Sequence, residues 1–188
     1  RNSAEAQRLT DLAMEEVDRD PAAAERLLRR AIDADAFHGP AHNNLGVLLL
    51  RGPDPRLYEA AQRFEWARKL MPGNPDPRVN LALTLERAGQ SDEALACYRS
   101  ALDVAPEHVP ALQGLAAIQI RAGRPDAATR RALGIIAVQG TTEHWRHWAR
   151  LQAAKIGGEA MHEKRASDGK SQLVTNAACF ACTIACGR

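Results

Sequence analysis

The apolar residues of the segment 75–108 are arranged as expected for two antiparallel helices that pack against each other. Small residues stand where two helices would touch, and larger apolar residues fill the space beside them. The small residues are Ala82, Ala94 and Ala101, and the larger ones are Leu81, Leu85 and Tyr98. The segment therefore predicts a helix-turn-helix unit.

Other residues of this segment predict where its two helices begin and end. We expect Gly89 to end the first helix, because glycine adopts a left-handed backbone conformation at the lowest cost. The run Ser91-Asp92-Glu93 is expected to cap the second helix and to place acidic groups in its first turn. Pro106 should close the unit, because proline cannot continue a helix.

The same pattern recurs three more times along the chain. The copy at 39–74 is two residues longer, and the surplus falls in the turn at 52–55. The copy at 109–142 has Gly140 in place of the closing proline, and a degenerate copy opens the chain if one residue is deleted near Asp20. Four copies with imperfect outer members predict an all-α helical-repeat solenoid, because a terminal repeat faces water on one side.

On a frame of about 34 residues, these positions closely resemble the tetratricopeptide repeat (TPR). The resemblance covers residues from about 6 to 156 and implies about four repeats stacked in a right-handed superhelix. The stretch 142–156 should form a helix that caps the last repeat, because its apolar residues lie on roughly one face. Those residues are Trp145, Trp148, Ala149 and Ile156.

The composition of the chain changes after Gly157-Gly158. The following residues are polar, and the run 167–171 has the composition of a loop. The predicted organisation is a repeat domain with its capping helix at 1–157, a polar linker at 158–172 and a cysteine-rich tail at 173–188.

The TPR resemblance implies a concave groove lined by the first helix of each repeat. Transferring the groove positions of the family onto repeats two to four gives a set of candidate partner-binding residues. They are Asn43, Asn44, Val47, Leu50, Arg51, Val79, Asn80, Leu83, Glu86, Arg87, Gln113, Ala117, Ile120 and Arg121. The lysine and asparagine that some relatives use to clamp chaperone tails have no counterpart at these positions, so we do not expect that ligand.

Three arginines, Arg51, Arg87 and Arg121, occupy the same position in successive repeats. Stacking would align them in a row, and a guanidinium row suits carboxylates or peptide carbonyls. Alternatively, each arginine interacts favourably with the negative end of the dipole of its own helix and stays solvated. The sequence is consistent with both interpretations.

Composition and charge exclude several classes of partner. The net charge of +2 is too small to indicate binding to nucleic acid or to an anionic membrane. No apolar run approaches the roughly 20 residues that span a bilayer. Because residue 1 is arginine rather than methionine, the compartment stays open between cytoplasm and periplasm.

No combination of serine, histidine and acid has a catalytic motif around it, so we predict no enzyme. His162-Glu163 lacks the second histidine of a zinc-protease motif, because Ala166 stands in its place. His144 and His147 are spaced like a metal-binding pair on a helix, but beside Trp145 they fit surface residues better.

Cys179, Cys182 and Cys186 lie within eight residues of the tail. Three interpretations of these residues are open. They are incidental thiols, or they form a zinc or iron–sulfur site that needs His162 or Cys97 as its fourth ligand, or two of them form a redox pair. The tail also resembles the cysteine-rich half of sactipeptides, in which a radical enzyme forms thioether bonds to backbone α-carbons. Those peptides carry acceptor residues after the cysteines, whereas only two residues follow here.

The function expected from these features is a protein–protein interaction scaffold that binds a partner segment in its concave groove. One alternative is a carrier whose cysteine-rich C-terminal peptide is altered by a modifying enzyme. A further alternative is an adaptor that holds a metal or a cluster through the tail cysteines.

Overall fold

The computed structural model describes residues 1–158 of the chain. Within this part there are nine α-helices and no β-strand, so the predicted all-α fold is confirmed. The helices are α1 (Ser3–Glu16), α2 (Pro21–Ala34), α3 (Gly39–Leu49), α4 (Leu57–Leu70), α5 (Asp76–Arg87), α6 (Ser91–Val104), α7 (Val109–Arg121), α8 (Ala127–Gln139) and α9 (143–158).

The helices pack in the order in which they follow one another along the chain. Each odd-numbered helix from α1 to α7 pairs with the next helix, and each pair packs on the following pair. Short turns join the two helices of a pair, which makes the neighbours antiparallel. This arrangement is the predicted helical-repeat solenoid, and α9 occupies the position expected for the capping helix.

Glycine ends the first helix of three repeats. Gly52, Gly89 and Gly123 have positive φ angles of 86°, 80° and 66°, and glycine adopts this left-handed region without a steric penalty. After Gly89, the backbone N–H of Gln90 donates to the carbonyl of Leu85 at 2.9 Å, which satisfies a group that the helix end leaves open. The role predicted for Gly89 is confirmed.

The predicted cap of α6 is wrong. The N-cap residue is Gln90, without a side-chain cap hydrogen bond, and Ser91 is already the first residue of the helix. The turn at Gly89 therefore starts the helix too early for the Ser91 hydroxyl to act as the cap. Asp92 and Glu93 do lie in the first turn, as expected.

Aromatic residues fill the space between helices at equivalent positions of two repeats. Phe64 and Tyr98 are fully buried, and each faces a glycine of a first helix. A Cβ atom on Gly46 would lie 2.6 Å from Cε1 of Phe64, and Gly114 lies against the Tyr98 ring. The small residues predicted at the helix contacts, Ala82, Ala94 and Ala101, are all fully buried.

Candidate partner-binding groove

The first helices of the repeats lie on the inner side of the solenoid. The backbones of α1, α3, α5 and α7 approach each other from repeat to repeat, whereas the second helices do not approach as closely. Long side chains bridge that wider gap, as where Arg29 of α2 contacts Glu59 of α4 at 2.7 Å. The surface formed by α1, α3, α5 and α7 is therefore the concave face, and it carries the candidate groove residues.

A row of apolar side chains runs along the concave face at one repeat position. Met14, Val47 and Leu83 are 48%, 37% and 44% exposed, and Ala117 follows at the same position of α7. Aligned apolar side chains that remain exposed mark an interaction surface better than scattered ones do. We call Met14, Val47, Leu83 and Ala117 the apolar row. Met14 was not among the sequence candidates, because the positions had been transferred only to repeats two to four.

The asparagine candidates bond to one another across two repeats. Nδ2 of Asn80 donates to Oδ1 of Asn43 at 3.0 Å, and Asn43 in turn lies 3.5 Å from Oδ1 of Asn44. All three are half-buried. A side-chain amide has two donor hydrogens and an acceptor with two lone pairs. The hydrogen bonds among the three asparagines therefore leave donors and acceptors that could bond to the backbone of a ligand.

Two candidates are almost completely buried, so little of either side chain is available to a partner in the groove. Val79 is 5% exposed and packs into the cluster around Tyr98, where burial of its apolar surface is favourable. Gln113 is 6% exposed, and its Nε2 donates to Oγ1 of Thr141 at 3.1 Å. Their repeat position turns inward in repeats three and four.

Each arginine of the row reaches back to the preceding repeat. Arg51 contacts Oδ1 of Asp18 at 2.8 Å, and Arg87 donates to the backbone carbonyl of Leu50 at 2.9 Å. In the next repeat, Nη2 of Arg121 donates to Oε2 of Glu86, also at 2.9 Å. These arginines are exposed and lie at helix ends, as the sequence indicated, but they also join neighbouring repeats.

Glu86 connects the concave face with the core. Its Oε1 accepts a hydrogen bond from the hydroxyl of Tyr98 at 2.7 Å, while Oε2 accepts from Arg121. Burial of Tyr98 and the hydrogen bond to the Glu86 carboxylate raise the pKa of the phenol far above its ordinary value. The Glu86 carboxylate is therefore held in place by groups on α6 and α7. Leu50 and Ile120, the remaining groove candidates, are half-buried beside these polar groups.

A cavity of about 240 Å³ lies where α7 meets α9. It is lined by Ala117, Ile120, Arg121, His144, Trp145 and Trp148. The two tryptophan rings pack edge to face, with centroids 5.1 Å apart. The sequence pattern predicted that Trp145 and Trp148 cover the last repeat, and it did not indicate that they also line an opening.

The metal-binding alternatives gain no support from the part of the chain that the structure describes. His144 and His147 are exposed, and residues 1–158 contain no group of three or more potential ligands. Cys97 is half-buried between two core clusters, and this burial raises the pKa of its thiol. Cys179, Cys182, Cys186 and His162 lie outside the described residues.

Among residues 1–158, no helix has the length and apolar character to cross a membrane.

Two tetratricopeptide repeat models match the sequence, one at residues 17–75 and the other at residues 85–154. The two matches together cover most of the nine helices. No curated protein sequence matches the chain significantly.

Solved structures with this fold include several TPR proteins. A tetratricopeptide repeat protein from Parabacteroides merdae superposes with a TM-score of 0.67 at 22% identity, over 83% of this chain and 61% of that one. PilF of Pseudomonas aeruginosa gives 0.67 at 20% identity, over 82% and 74%. An O-GlcNAc transferase from Thermobaculum terrenum gives 0.60 at 25% identity, but the match spans only 26% of its chain. The likeness to the first two shows the fold alone, and the short match to the transferase carries no inference of activity.

Proposed function

Because the chain belongs to the tetratricopeptide repeat family, we propose that it is an interaction scaffold whose concave face binds a segment of a partner protein. The apolar row is the observation that carries this proposal. Met14, Val47 and Leu83 together expose apolar surface on the side that the solenoid curves around. Burial of such surface against a partner is the main favourable contribution to association.

The spacing of the repeats favours an extended segment. Packed helices lie about 8–10 Å apart, and a chain in the extended polyproline II conformation rises about 3.1 Å per residue and places every third side chain on the same side. An apolar side chain at every third residue of a partner would therefore meet the apolar row at successive repeats. The amides of Asn43 and Asn80 lie on the same helices as Val47 and Leu83, and their remaining hydrogen-bonding groups suit peptide N–H and C=O groups.

Site-specific photo-crosslinking tests this proposal. A benzoylphenylalanine replacing Leu83 in the full chain should crosslink to a discrete partner in an extract of the source organism. The same group at Tyr58, which is 79% exposed on α4, is the matched control and should not. Adding Val47→Asp should abolish the Leu83 crosslink. Equal crosslinking from Tyr58, or a crosslink that is insensitive to Val47→Asp, would refute a concave binding site.

A second candidate function comes from the tail sequence. Three cysteines within eight residues, next to a repeat domain, are consistent with a carrier that presents its C-terminal peptide to a modifying enzyme. They are also consistent with an adaptor that holds a metal through Cys179, Cys182 and Cys186. Intact mass of the purified chain distinguishes these alternatives from a plain scaffold, since crosslinks remove hydrogen and a bound metal adds mass.

A further inference from the structure

The cavity between α7 and α9 continues the apolar row. The row carries Met14, Val47 and Leu83 in the first three repeats but only Ala117 in the fourth. The small side chain leaves room beside it, and Ala117 forms part of the cavity wall. Where the other repeats present a side chain to a partner, the last repeat therefore presents an opening.

The walls of the cavity suit an apolar group. Ile120, Trp145 and Trp148 are all half-buried and line this cavity, which opens widely to the solvent. Pockets that hold a whole small ligand usually measure about 300–1,000 Å³. At about 240 Å³, this cavity is large enough for one large side chain.

The charges at this end of the concave face are unbalanced. Arg121 borders the cavity and shares the Glu86 carboxylate with Tyr98. Arg87, one repeat earlier, donates to a neutral backbone carbonyl, and this bond does not offset its positive charge. In the last two repeats, one of the two row arginines thus has a carboxylate partner, whereas at the other end of the row Arg51 is paired with Asp18.

We propose that the cavity anchors one leucine or aromatic side chain of a partner segment, and that acidic residues flank this side chain and pair with Arg87 and Arg121. The inference rests on the proposed binding function of the concave face and specifies its ligand. The linker and tail of the same chain fit less well, because residues 159–188 together contain four cations and three acids. These are Lys164, Arg165, Lys170 and Arg188 against Glu159, Glu163 and Asp168.

Nuclear magnetic resonance of the ¹⁵N-labelled full chain tests the proposal through its three tryptophan indole signals. Two belong to the cavity, and the third belongs to Trp66, half-exposed on α4, which serves as an internal control. The probe is the acetylated peptide Asp-Asp-Leu-Phe-Asp-Asp, with Lys-Lys-Leu-Phe-Lys-Lys as the charge-reversed control. The acidic peptide should shift the signals of Trp145 and Trp148 but not that of Trp66, and the basic peptide should shift none.

Two variants separate the apolar and the charged parts of the site. Ala117→Phe should fill the cavity, so that the apolar side chain of the acidic peptide can no longer be buried there. Binding of this peptide should weaken at least about tenfold. Arg121→Gln should weaken it roughly two- to fivefold, because this guanidinium is largely exposed. Ala96→Leu adds similar bulk on the outer helix α6 and should have no effect, because Ala96 is exposed away from the groove.

The outcomes distinguish the cavity from the groove as a whole. Shifts confined to residues near Val47 and Leu83, with Trp145 and Trp148 unchanged, would leave the binding face in place and overturn the cavity. Equal binding of the basic peptide would overturn the acidic ligand, and tighter binding of a peptide spanning 173–188 would make the tail the occupant instead. If neither Leu83 crosslinks nor tryptophan shifts are seen, the proposed function itself fails.

Discussion

Gly114 on α7 lies directly against the ring of Tyr98 on α6, and at this point there is no space for even one methyl group. A Cβ atom at residue 114 would overlap three carbons of the Tyr98 ring. Tyr98 cannot easily yield, because it is fully buried and its hydroxyl is bonded to Glu86. This contact therefore determines how closely α7 approaches α6 at Gly114.

Replacing Gly114 with alanine should therefore destabilise the protein, although alanine is the better helix former. We expect the free energy of unfolding to fall by about 1–3 kcal/mol, the usual cost of overpacking a core. Gly134→Ala is the matched control, because Gly134 also lies within a helix but has open space around it. That variant should gain up to about 1 kcal/mol from helix propensity. Urea denaturation measures both, and a stabilised Gly114→Ala protein would contradict the packing described here.

The buried phenol of Tyr98 should make stability depend on alkaline pH. Because burial and the Glu86 carboxylate raise the pKa of Tyr98, the folded state holds the phenolic proton more tightly than the unfolded chain does. The resulting stabilisation is fully present below the unfolded pKa of about 10 and is lost as the pH rises above it. Urea unfolding at increasing pH should show this fall, and the fall should be smaller in Tyr98→Phe.

At neutral pH, Tyr98→Phe should cost about 1.5–3 kcal/mol, the net value of one hydrogen bond to a charged group. The near-ultraviolet absorbance of tyrosinate gives an independent measurement. While the protein stays folded, the variant should titrate as the parent protein does, because Tyr98 does not ionise there. An extra titrating group in the folded parent would rule out the raised pKa.

The arginine row should contribute to stability as well as to binding. Each of Arg51, Arg87 and Arg121 bonds to the preceding repeat, so replacing all three with glutamine should lower the free energy of unfolding by about 1–2 kcal/mol in total. The matched control replaces Arg99, Arg130 and Arg131, which are exposed on second helices. Exposed substitutions of this kind usually change stability by less than about 0.5 kcal/mol each. Equal losses in both triple variants would show that the inter-repeat bonds contribute nothing.

The fold could be predicted from the sequence because its main determinants are local. Small residues such as Ala82 and Ala94, and turn glycines such as Gly89, mark helix contacts and helix ends within one repeat. The cap of α6 was predicted wrongly because Ser91 is one residue away from where the turn starts the helix. A shift of one residue is decided by backbone geometry that residue types alone do not determine.

The candidate groove was less predictable because it depends on how neighbouring repeats meet. Val79 and Asn43 share one repeat position, yet Val79 is buried and Asn43 is half-buried and bonded to Asn80. The partners of the arginines lie 33 to 37 residues earlier in the chain, and no local pattern indicates them. The opening beside Trp145 likewise depends on how α9 sits on the last repeat.

The repeat domain should fold without the cysteine-rich tail. Ile156 is the last core residue among the described part of the chain, where it packs with Ala149 and Leu133 in the third core cluster. A chain truncated after Gln172 keeps this contact, so its far-ultraviolet circular dichroism and melting temperature should match those of the full chain. A large drop in melting temperature would mean that residues beyond Gln172 stabilise the repeats.

The same truncation tests whether the three tail cysteines act together. Cys179, Cys182 and Cys186 are spaced so that they can share one metal ion or one modifying enzyme. Cys97 is half-buried in the core, and this burial raises the pKa of its thiol. Any metal, or any loss of hydrogen that resists reductant, should therefore be present in the intact mass of the full chain and absent after truncation. Cys97→Ala in the full chain is the matched control and should leave the metal or the modification in place. If the truncated chain retains either one, the tail hypothesis is wrong, and the exposed His144 and His147 of α9 become the residues to replace.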